Sequence, residues 1–159
     1  MLAFLSPFYF FEKMEVKRER FIVFEGIDGA GTSTQLIESV RYLESLDKYQ
    51  DVLRTHEPWK SGEIKRKLAE DRDAYSDGLK MAELYVQDRI QHTKELVQPI
   101  LDKGVFVLSD RYSMSTCAYQ STQRVDLNEL IKMHDLSRVL VPDITFLLMF
   151  LLKLLKRGF

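Results

Sequence analysis

FIVFEGIDGAGTST, at residues 21–34, joins an apolar strand to a glycine-rich turn and to the hydroxyl-bearing start of a helix. The glycines of such a turn let several backbone N–H groups converge on one anion, and the N-terminus of the following helix adds partial positive charge. This order of elements is typical of loops that wrap nucleotide phosphates. The alternative is a tight strand-to-helix turn without a ligand. We predict that the segment is a phosphate-binding loop.

Thr32 departs from the pattern G-x-x-x-x-G-K-[ST], which has lysine at that position. Ser33 follows where a magnesium-ligating hydroxyl is expected, although the same hydroxyl could instead cap the helix. At an effective dielectric of about 20, a cation roughly 4 Å from a phosphate charge contributes on the order of 4 kcal/mol. We therefore expect either that another basic group replaces the lysine or that turnover is slow.

The composition is that of one globular domain. The chain has 159 residues, of which 45% are hydrophobic and 30% are charged, so it can bury a core. A net charge of −1 at pH 7 gives no sign of a general nucleic-acid binder, which would be basic. Cys117 is the single cysteine, so an internal disulfide is excluded and a reducing compartment, the cytoplasm, is expected.

Strand-like and helix-like segments alternate along the chain. Short apolar runs predict strands, and apolar residues recurring at helical spacing predict helices. This alternation predicts an α/β fold, a parallel sheet with helices on both faces. Ligands of such sheets bind beyond the carboxyl ends of the strands. The predicted strands are 21–24, 51–55, 105–109 and 144–148, and the predicted helices are 33–46, 61–70, 78–102 and 126–139.

Polar side chains follow the predicted strands at the ends where a ligand should bind. Glu57 follows the second strand, and Asp110 and Arg111 follow the third. A carboxylate there can hold magnesium, and an arginine can grip a phosphate with its planar fork. On the long helix, Tyr85 and Arg89 lie about one turn apart and could contact a base. The alternatives are a structural ion pair for Asp110 and Arg111 and ordinary packing for Tyr85 and Arg89.

Taken together, these segments resemble the thymidylate kinase family. Several separate motifs occur in the family's order and cover about residues 20–148, most of the chain. The resemblance implies a P-loop NTPase fold, which is a three-layer sandwich with a parallel sheet between helices. The motifs are FIVFEGIDGAGTSTQ (21–35), EP (57–58) with GEIKR (62–66), LYVQDR (84–89), DRY (110–112) with AYQ (118–120), and VPDIT (141–145).

By this resemblance, the protein would transfer the γ-phosphoryl group of ATP to thymidine monophosphate, with Mg²⁺. The residues implied for the ATP phosphates are Gly26, Gly29, Ala30, Gly31, Thr32, Ser33 and Thr34, and those implied for the metal are Ser33 and Asp110. The residues implied in catalysis are Asp28, Asp110 and Arg111. The residues implied for thymidine monophosphate are Asp28, Glu57, Arg66, Tyr85, Arg89, Arg111, Ser115, Thr116, Tyr119 and Gln120.

The resemblance also implies individual roles for the residues around the acceptor. Tyr85 would stack on thymine and Arg89 would reach its exocyclic oxygen. Arg111 would bind the acceptor phosphate, and Asp28 would approach the 3′-hydroxyl. Tyr119 would pack near the 2′ carbon and disfavour a ribose.

The two ends of the chain depart from the family's pattern. The extension at residues 1–19 begins with the apolar run MLAFLSPFYFF, which is too short for a bilayer span of roughly 20 residues, and Met14 is an alternative start. The core would occupy residues 20–148. Residues 149–159 form an apolar tail where the family has a mobile lid and adenine-binding elements, so we expect a truncated C-terminal part. Because lids exclude water and complete the charge-stabilising set, this expectation and Thr32 predict weak turnover.

The resemblance implies ATP and thymidine monophosphate as ligands, no nucleic acid or membrane partner, and a homodimer. Three alternatives stay open: a related kinase for another nucleoside or nucleotide, a non-catalytic nucleotide-binding paralogue, and a poorly folding fragment. Tyr85, Arg89 and Tyr119 favour thymidine monophosphate as the acceptor. Thr32 and the expected loss of the lid favour the non-catalytic paralogue.

Overall fold

A computed structural model describes residues 20–70, 77–136 and 139–149 of the chain. Strands and helices alternate in these ranges, as predicted. The strands are β1 (Phe21–Gly26), β2 (Val52–His56), β3 (Phe106–Asp110) and β4 (Ile144–Leu148). The helices are α1 (Thr32–Leu46), α2 (Gly62–Glu70), α3 (Gly78–His92), α4 (Gln98–Leu101), α5 (Ser113–Thr122) and α6 (Leu127–Leu136).

Within the described ranges, the strands form a parallel sheet in the order β2-β3-β1-β4. β1 lies between two neighbours, with Phe24 opposite Asp110 of β3 and opposite Phe146 of β4. Five of the six residues of β1 are buried, as its apolar character predicts for a central parallel strand. Because all strands run in the same direction, the carboxyl ends of β1, β2 and β3 meet at one edge of the sheet.

Helices cover both faces of the sheet, so the predicted three-layer α/β sandwich is confirmed. Alternate residues of β1 belong to different core clusters, because successive side chains of a strand point to opposite faces. The first cluster consists of Ile22, Phe24, Leu36, Leu43, Phe106 and Leu108, and the second of Phe21, Val23, Val97, Val107 and Tyr112. Every helix in the described part of the chain falls short of the length or apolar character that a bilayer crossing requires.

The helix predicted at 78–102 contains a π-helical turn at Thr93–Val97, which separates α3 from α4. There the N–H of Gln98 donates to the carbonyl of Thr93 instead of to the residue four positions back. Pro99 gives the physical reason. Its ring has no N–H to donate to the carbonyl four residues earlier, and it would crowd that carbonyl in a regular helix. The wider turn avoids both problems.

Helix α5 has no counterpart among the predicted helices. Its buried residues are Thr116 and Gln120, so its sequence lacks the apolar stripe that marks a helix against a core. The helix predicted at 126–139 corresponds to α6, and positions 137–138 lie outside the described residues. The extension at 1–19 and the tail from position 150 lie outside them as well, so the domain boundaries stay predictions.

Candidate active site

The loop between β1 and α1 has the backbone conformation that suits phosphate binding. Gly29 and Gly31 adopt positive φ angles of 79° and 88°, a region that glycine enters at little cost. Gly31 is the N-cap of α1, and no side chain in the described ranges caps this helix end. The first amides of α1 therefore face outward as donors, and the helix N-terminus adds partial positive charge.

Ser33 and Asp110 form a pair where β3 ends beside this loop. The Ser33 hydroxyl donates to Asp110 Oδ2 in a short hydrogen bond, whereas Asp110 Oδ1 is buried without a partner among the described residues. A buried oxygen of this kind costs free energy unless a ligand satisfies it. Magnesium commonly binds through one or two carboxylates together with phosphate oxygens and water. The two residues therefore fit the predicted metal site.

Basic side chains lie near Ser33 and Asp110 and could replace the charge of the lysine that the phosphate loop lacks. A shallow groove of about 330 Å³ is lined by Ser33 and Asp110 and also by the basic side chains of Arg54 and His56. Both basic residues lie on β2, next to β3 in the sheet. In residues 20–70, 77–136 and 139–149, no group of three or more His, Cys, Asp or Glu side chains could hold a metal by itself. Phosphate oxygens or water would therefore have to complete the coordination.

Arg111 lies directly beside the phosphate loop. Its φ angle of 75° is uncommon for a residue other than glycine, and its N–H donates to the Phe24 carbonyl at 2.9 Å. The guanidinium donates to the Gly26 carbonyl and, at 2.7 Å, to Asp28 Oδ1. The Tyr119 hydroxyl donates to the same Asp28 oxygen at 3.0 Å. An unusual backbone conformation held by its neighbours is a common property of functional positions.

A cavity of about 250 Å³ opens beside Arg111. Nine of the ten residues predicted for thymidine monophosphate line it, and Arg66 is the exception. In α2, Ile64 is buried and Leu68, one turn later, lines the cavity. Arg66 lies between these two positions and therefore on the opposite side of the helix, where it is exposed. Arg66 therefore does not line the cavity.

Arg89 is only 1% exposed and is held from three sides at the wall of the cavity. Its Nε–H donates to Glu57 Oε2 at 2.7 Å, and Nη2 donates to the Thr116 hydroxyl at 3.0 Å. Nη1 lies 2.6 Å from Nε2 of His134. The ion pair with Glu57, with an Nη2–Oε2 distance of 2.6 Å, compensates the buried charge. Removing one partner of such a pair leaves an unpaired charge and is strongly destabilising.

Gln120 offers an acceptor to the cavity. The residue is 2% exposed and lines the cavity, and its Oε1 is buried without a hydrogen-bond partner in the described part of the chain. Because buried polar atoms are nearly always satisfied, this oxygen points to a ligand or water that carries a donor. The half-buried ring of Tyr85 lines the same cavity and provides an aromatic surface.

Two residues of α3 that were not predicted as site residues fix the segment after β2. The Asp88 carboxylate accepts backbone N–H groups from Trp59, Lys60 and Ser61 at 2.5, 2.9 and 2.7 Å. The distance from His92 Nδ1 to Glu57 Oε1 is 3.1 Å. The LYVQDR motif contains Asp88, so its position beside Arg89 was a usable signal.

Glu25 was also missed as a site residue. It is 1% exposed and accepts the N–H groups of Tyr112 and Ser115 at 2.9 and 3.2 Å, together with the Ser115 hydroxyl at 2.5 Å. It therefore holds the N-terminal end of α5 against β1. The signal was a single carboxylate in an otherwise apolar strand. Ser115, predicted to bind thymidine monophosphate, uses its hydroxyl for Glu25 and lines the cavity from there.

Burial alters the protonation of two groups near the cavity. Desolvation lowers the pKa of His134, and the positive charge of Arg89 lowers it further. The neutral imidazole is therefore favoured. Burial raises the pKa of the Cys117 thiol above its usual range, which favours the uncharged thiol and fits a packing role for this residue.

Known thymidylate kinases are similar to this chain over most of its length. The family model for thymidylate kinase matches residues 24–157. A thymidylate kinase of Prochlorococcus marinus is 42% identical over 141 residues, which cover 81% of this chain and 65% of that protein. A thymidylate kinase of Desulfotalea psychrophila is 37% identical over 131 residues, which cover 81% of this chain and 62% of that protein. The chain thus spans slightly less than two thirds of the length of these relatives.

A solved structure is similar as well. The crystal structure of thymidylate kinase from Ehrlichia chaffeensis superposes with a TM-score of 0.74 at 30% sequence identity. The match covers 83% of this chain and 77% of that chain. The α/β sandwich described above is therefore the P-loop NTPase fold that the family resemblance implied.

Proposed function

The chain belongs to the thymidylate kinase family, and on that premise we propose that it transfers the γ-phosphoryl group of ATP to thymidine monophosphate. The products would be ADP and thymidine diphosphate. Phosphoryl transfer needs little covalent help from a protein, because it depends on holding two anionic reactants in line and neutralising their charge. The reaction therefore requires that the two anion-binding sites adjoin.

The observation that carries the proposal is the position of Arg111. Its guanidinium contacts both the Gly26 carbonyl and Asp28, which belong to the phosphate loop, and it lines the neighbouring cavity. A phosphate in the cavity and a phosphate on the loop would thus lie on either side of one cation. Arginine suits this position because its planar fork can bind a phosphate through two parallel hydrogen bonds.

On the donor side, the amides from Gly29 to Thr34 would hold the ATP phosphates. Ser33 and Asp110 would hold Mg²⁺, which supplies charge neutralisation at the phosphates when it is bound. The unpartnered Asp110 Oδ1 supports this assignment. Arg54 and His56, which line the same groove, are the basic groups available to compensate for Thr32.

On the acceptor side, the cavity matches the chemistry of a thymine base. The imide of thymine presents an N–H between two carbonyl groups. Gln120 Oε1 has an open acceptor for the N–H, Arg89 has donors for a carbonyl, and Tyr85 offers a ring for stacking. Tyr119, fixed on Asp28, would lie near the sugar and disfavour a ribose. A homodimeric assembly remains a prediction from the family resemblance, and a cytoplasmic location remains a prediction from the single cysteine.

A coupled assay of the purified full chain with ATP, Mg²⁺ and thymidine monophosphate tests the proposal. We expect formation of ADP that depends on thymidine monophosphate and exceeds the rate with other nucleoside monophosphates. Calorimetric titration of both ligands should accompany the assay, because binding without turnover would indicate the non-catalytic paralogue. Equal rates with several monophosphates would assign the chain to a related kinase instead.

Arg111→Ala tests the acceptor phosphate site itself. We expect the wild-type chain to bind thymidine monophosphate more tightly than thymidine, and the variant to lose most of this preference, roughly 10-fold or more, because it lacks a charge-assisted contact. Arg124→Ala is a matched control, since Arg124 also has a positive φ angle, 68°, and is exposed away from the cavity lining. An unchanged preference in Arg111→Ala would place the phosphate elsewhere.

A further inference from the structure

His134 of α6 contacts the guanidinium of Arg89 from behind the cavity. The cavity lining includes Arg89, whereas His134 is not part of it. The imidazole is 9% exposed, with Nε2 at 2.6 Å from Arg89 Nη1 and Nδ1 at 2.7 Å from the Leu130 carbonyl. Both ring nitrogens are therefore engaged, and the ring is fixed between α6 and α3.

These two contacts determine the protonation state of the ring. A carbonyl oxygen is only an acceptor, so Nδ1 must carry a hydrogen and donate it to Leu130. A guanidinium has only donors, so Nε2 must be unprotonated and accept from Arg89. His134 is thus the neutral Nδ1–H tautomer. A proton on Nε2 would place two N–H donors and two positive charges against each other at 2.6 Å.

The hydrogen bond to His134 also determines which Arg89 hydrogen can reach a ligand. Nη1 carries two hydrogens, and one of them donates to His134. The planar geometry of the group then fixes the direction of the other. Nε and Nη2 are held by Glu57 and Thr116, so the second Nη1 hydrogen is the donor available to the cavity within the described structure.

We propose that His134 is a positioning residue for Arg89, and that protonation of its Nε2 displaces the guanidinium and weakens binding of the base. The proposal rests on the proposed function insofar as the ligand is a thymine nucleotide. The positioning of Arg89 by the imidazole is a property of the protein that can be observed without any ligand.

Some of the ionisable groups around His134 favour its protonation, and others disfavour it. Arg89 of α3 disfavours its protonation, whereas Glu57, which follows β2, and Asp135 on α6 favour it. On α5, burial raises the pKa of the Cys117 thiol despite the nearby positive charge of Arg89, so the thiol is uncharged near neutral pH. Since Glu57 is already paired with Arg89, it cannot offset a second cation in direct contact with the guanidinium.

The test uses thymidine as the probe, because its base does not ionise between about pH 5.5 and 7.5 and it lacks a phosphate, whose second ionisation falls near pH 6. Calorimetric titration of the full wild-type chain should show affinity for thymidine falling as pH decreases below about 6.5. The loss should approach about 10-fold once His134 is fully protonated, the order expected for loss of one hydrogen bond to a charged group. His134→Gln keeps an uncharged acceptor and should bind thymidine with little dependence on pH.

Lys132→Gln is the matched control, since Lys132 lies on the same helix α6, is exposed, and lines neither the cavity nor the groove. It should retain the wild-type pH dependence of thymidine affinity. His134→Ala should bind thymidine about 10-fold more weakly at neutral pH, while ATP affinity stays unchanged. Equal pH dependence of thymidine affinity in wild type and His134→Gln would overturn the proposal. So would an unchanged wild-type affinity across the pH range in which NMR shows His134 to become protonated.

Nitrogen-15 NMR of the ligand-free chain separates failure of the proposal from failure of the proposed function. His134 should show the Nδ1–H tautomer, and the Arg89 Nε–H signal should shift as His134 titrates. If thymidine does not bind at any pH, the proposed thymidylate kinase function is wrong. The spectra still show whether His134 positions Arg89, because they need no ligand. An Nε2–H tautomer of His134 would overturn the proposal that His134 positions Arg89. So would an Arg89 signal that does not change as His134 titrates.

Discussion

Thr32 is the residue at which this chain departs from the phosphate-loop pattern, and it is buried at the first position of α1. We predict that Thr32→Lys raises the rate of phosphoryl transfer by up to about 1,000-fold, because a cation close to the phosphates contributes on the order of 4 kcal/mol at an effective dielectric of about 20 and each ~1.4 kcal/mol is a factor of ten in rate. The coupled assay at saturating ATP measures this change. Ser45→Lys adds the same charge at the exposed far end of α1 and should leave the rate unchanged. A rate that does not rise in Thr32→Lys would indicate that Arg54 or His56 already supplies the charge.

Gly26 ends β1 at a position with no room for a side chain. A Cβ atom built on it would lie 2.6 Å from the Leu148 carbonyl oxygen, which belongs to the neighbouring strand. We predict that Gly26→Ala lowers the free energy of unfolding by roughly 1–3 kcal/mol, because β1 and β4 must separate to accept the methyl group. Chemical denaturation measures the loss.

Gly62→Ala is the control for that substitution, since a Cβ at Gly62 meets no atom within 4 Å. Alanine there should be neutral or slightly stabilising, because it is the better helix former in α2. Equal stability of Gly26→Ala and wild type would show that the two strands can move apart without cost.

At the residue scale, sequence patterns predicted the groups that line the cavity better than the groups that hold them in place. Asp28, Arg111 and Gln120 stand in recognisable motifs and do line the cavity. His134 and Glu25 hold Arg89 and α5 in place, and they are isolated in the sequence from the residues that they contact. Only the fold brings such partners together, so no local pattern could have identified the pairs.

At the scale of elements, α5 depends on a residue outside it. The N-terminal amides of α5 donate to the Glu25 carboxylate of β1. We predict that Glu25→Gln destabilises the protein by about 1–3 kcal/mol, because the amide can accept with only one oxygen and introduces a buried donor. Thermal or chemical unfolding measures the effect, and ligand affinity should fall with it because α5 lines the cavity.

Glu129→Gln is the matched control for Glu25→Gln. Glu129 lies in the first turn of α6, as an exposed acidic residue. Its interaction with the helix N-terminus is screened by water, so its removal should cost at most about 0.3–1 kcal/mol. A loss of similar size in both variants would mean that Glu25 acts only through general helix electrostatics.

Some of the strands and helices could be predicted from sequence patterns, and others could not. Strands β1 and β3 are short apolar runs, and α1 has a clear apolar stripe, so their existence followed from pattern alone. The helical character of α5 was hidden because its buried face carries Thr116 and Gln120, which serve the cavity. The π-helical turn was hidden because the wider spacing around Pro99 leaves the apolar residues in nearly helical register.

At the scale of the whole molecule, stability should depend on pH through His134. Its pKa is lowered in the folded chain, mainly by burial, so the unfolded chain binds the proton more readily once the pH falls below its ordinary value of about 6.5. Stability is therefore predicted to be level above that pH and to decrease below it. The slope from one such group is at most about 1.4 kcal/mol per pH unit.

Urea denaturation at several pH values between about 7.5 and 5.5 measures this dependence. His134→Gln should have a flatter profile, because it removes the titrating group. The same decline in both chains would assign the pH dependence to other groups. Carboxylates contribute mainly at lower pH, since their ordinary pKa values lie near 4.

The overall architecture was the most predictable property, because alternating strands and helices restrict the chain to few topologies. The strand order β2-β3-β1-β4 places Glu57, Asp110 and the phosphate loop at one edge, as expected from parallel strands. Whether Arg66 faces the cavity could not be predicted from sequence. Which side of α2 faces the cavity depends on how Ile64 packs, and this is decided by tertiary contacts.

The Gly26 carbonyl that receives the Arg111 guanidinium belongs to the peptide from which the phosphate loop departs. A pull exerted on the loop is thus transmitted through one rigid peptide group to a side chain on the other half of the site. This contact links the two halves of the site together with the Arg111–Asp28 ion pair. The fluctuations of the phosphate loop and of the cavity wall around Arg111 should therefore be correlated. Restricting the motion of one should reduce the motion of the other.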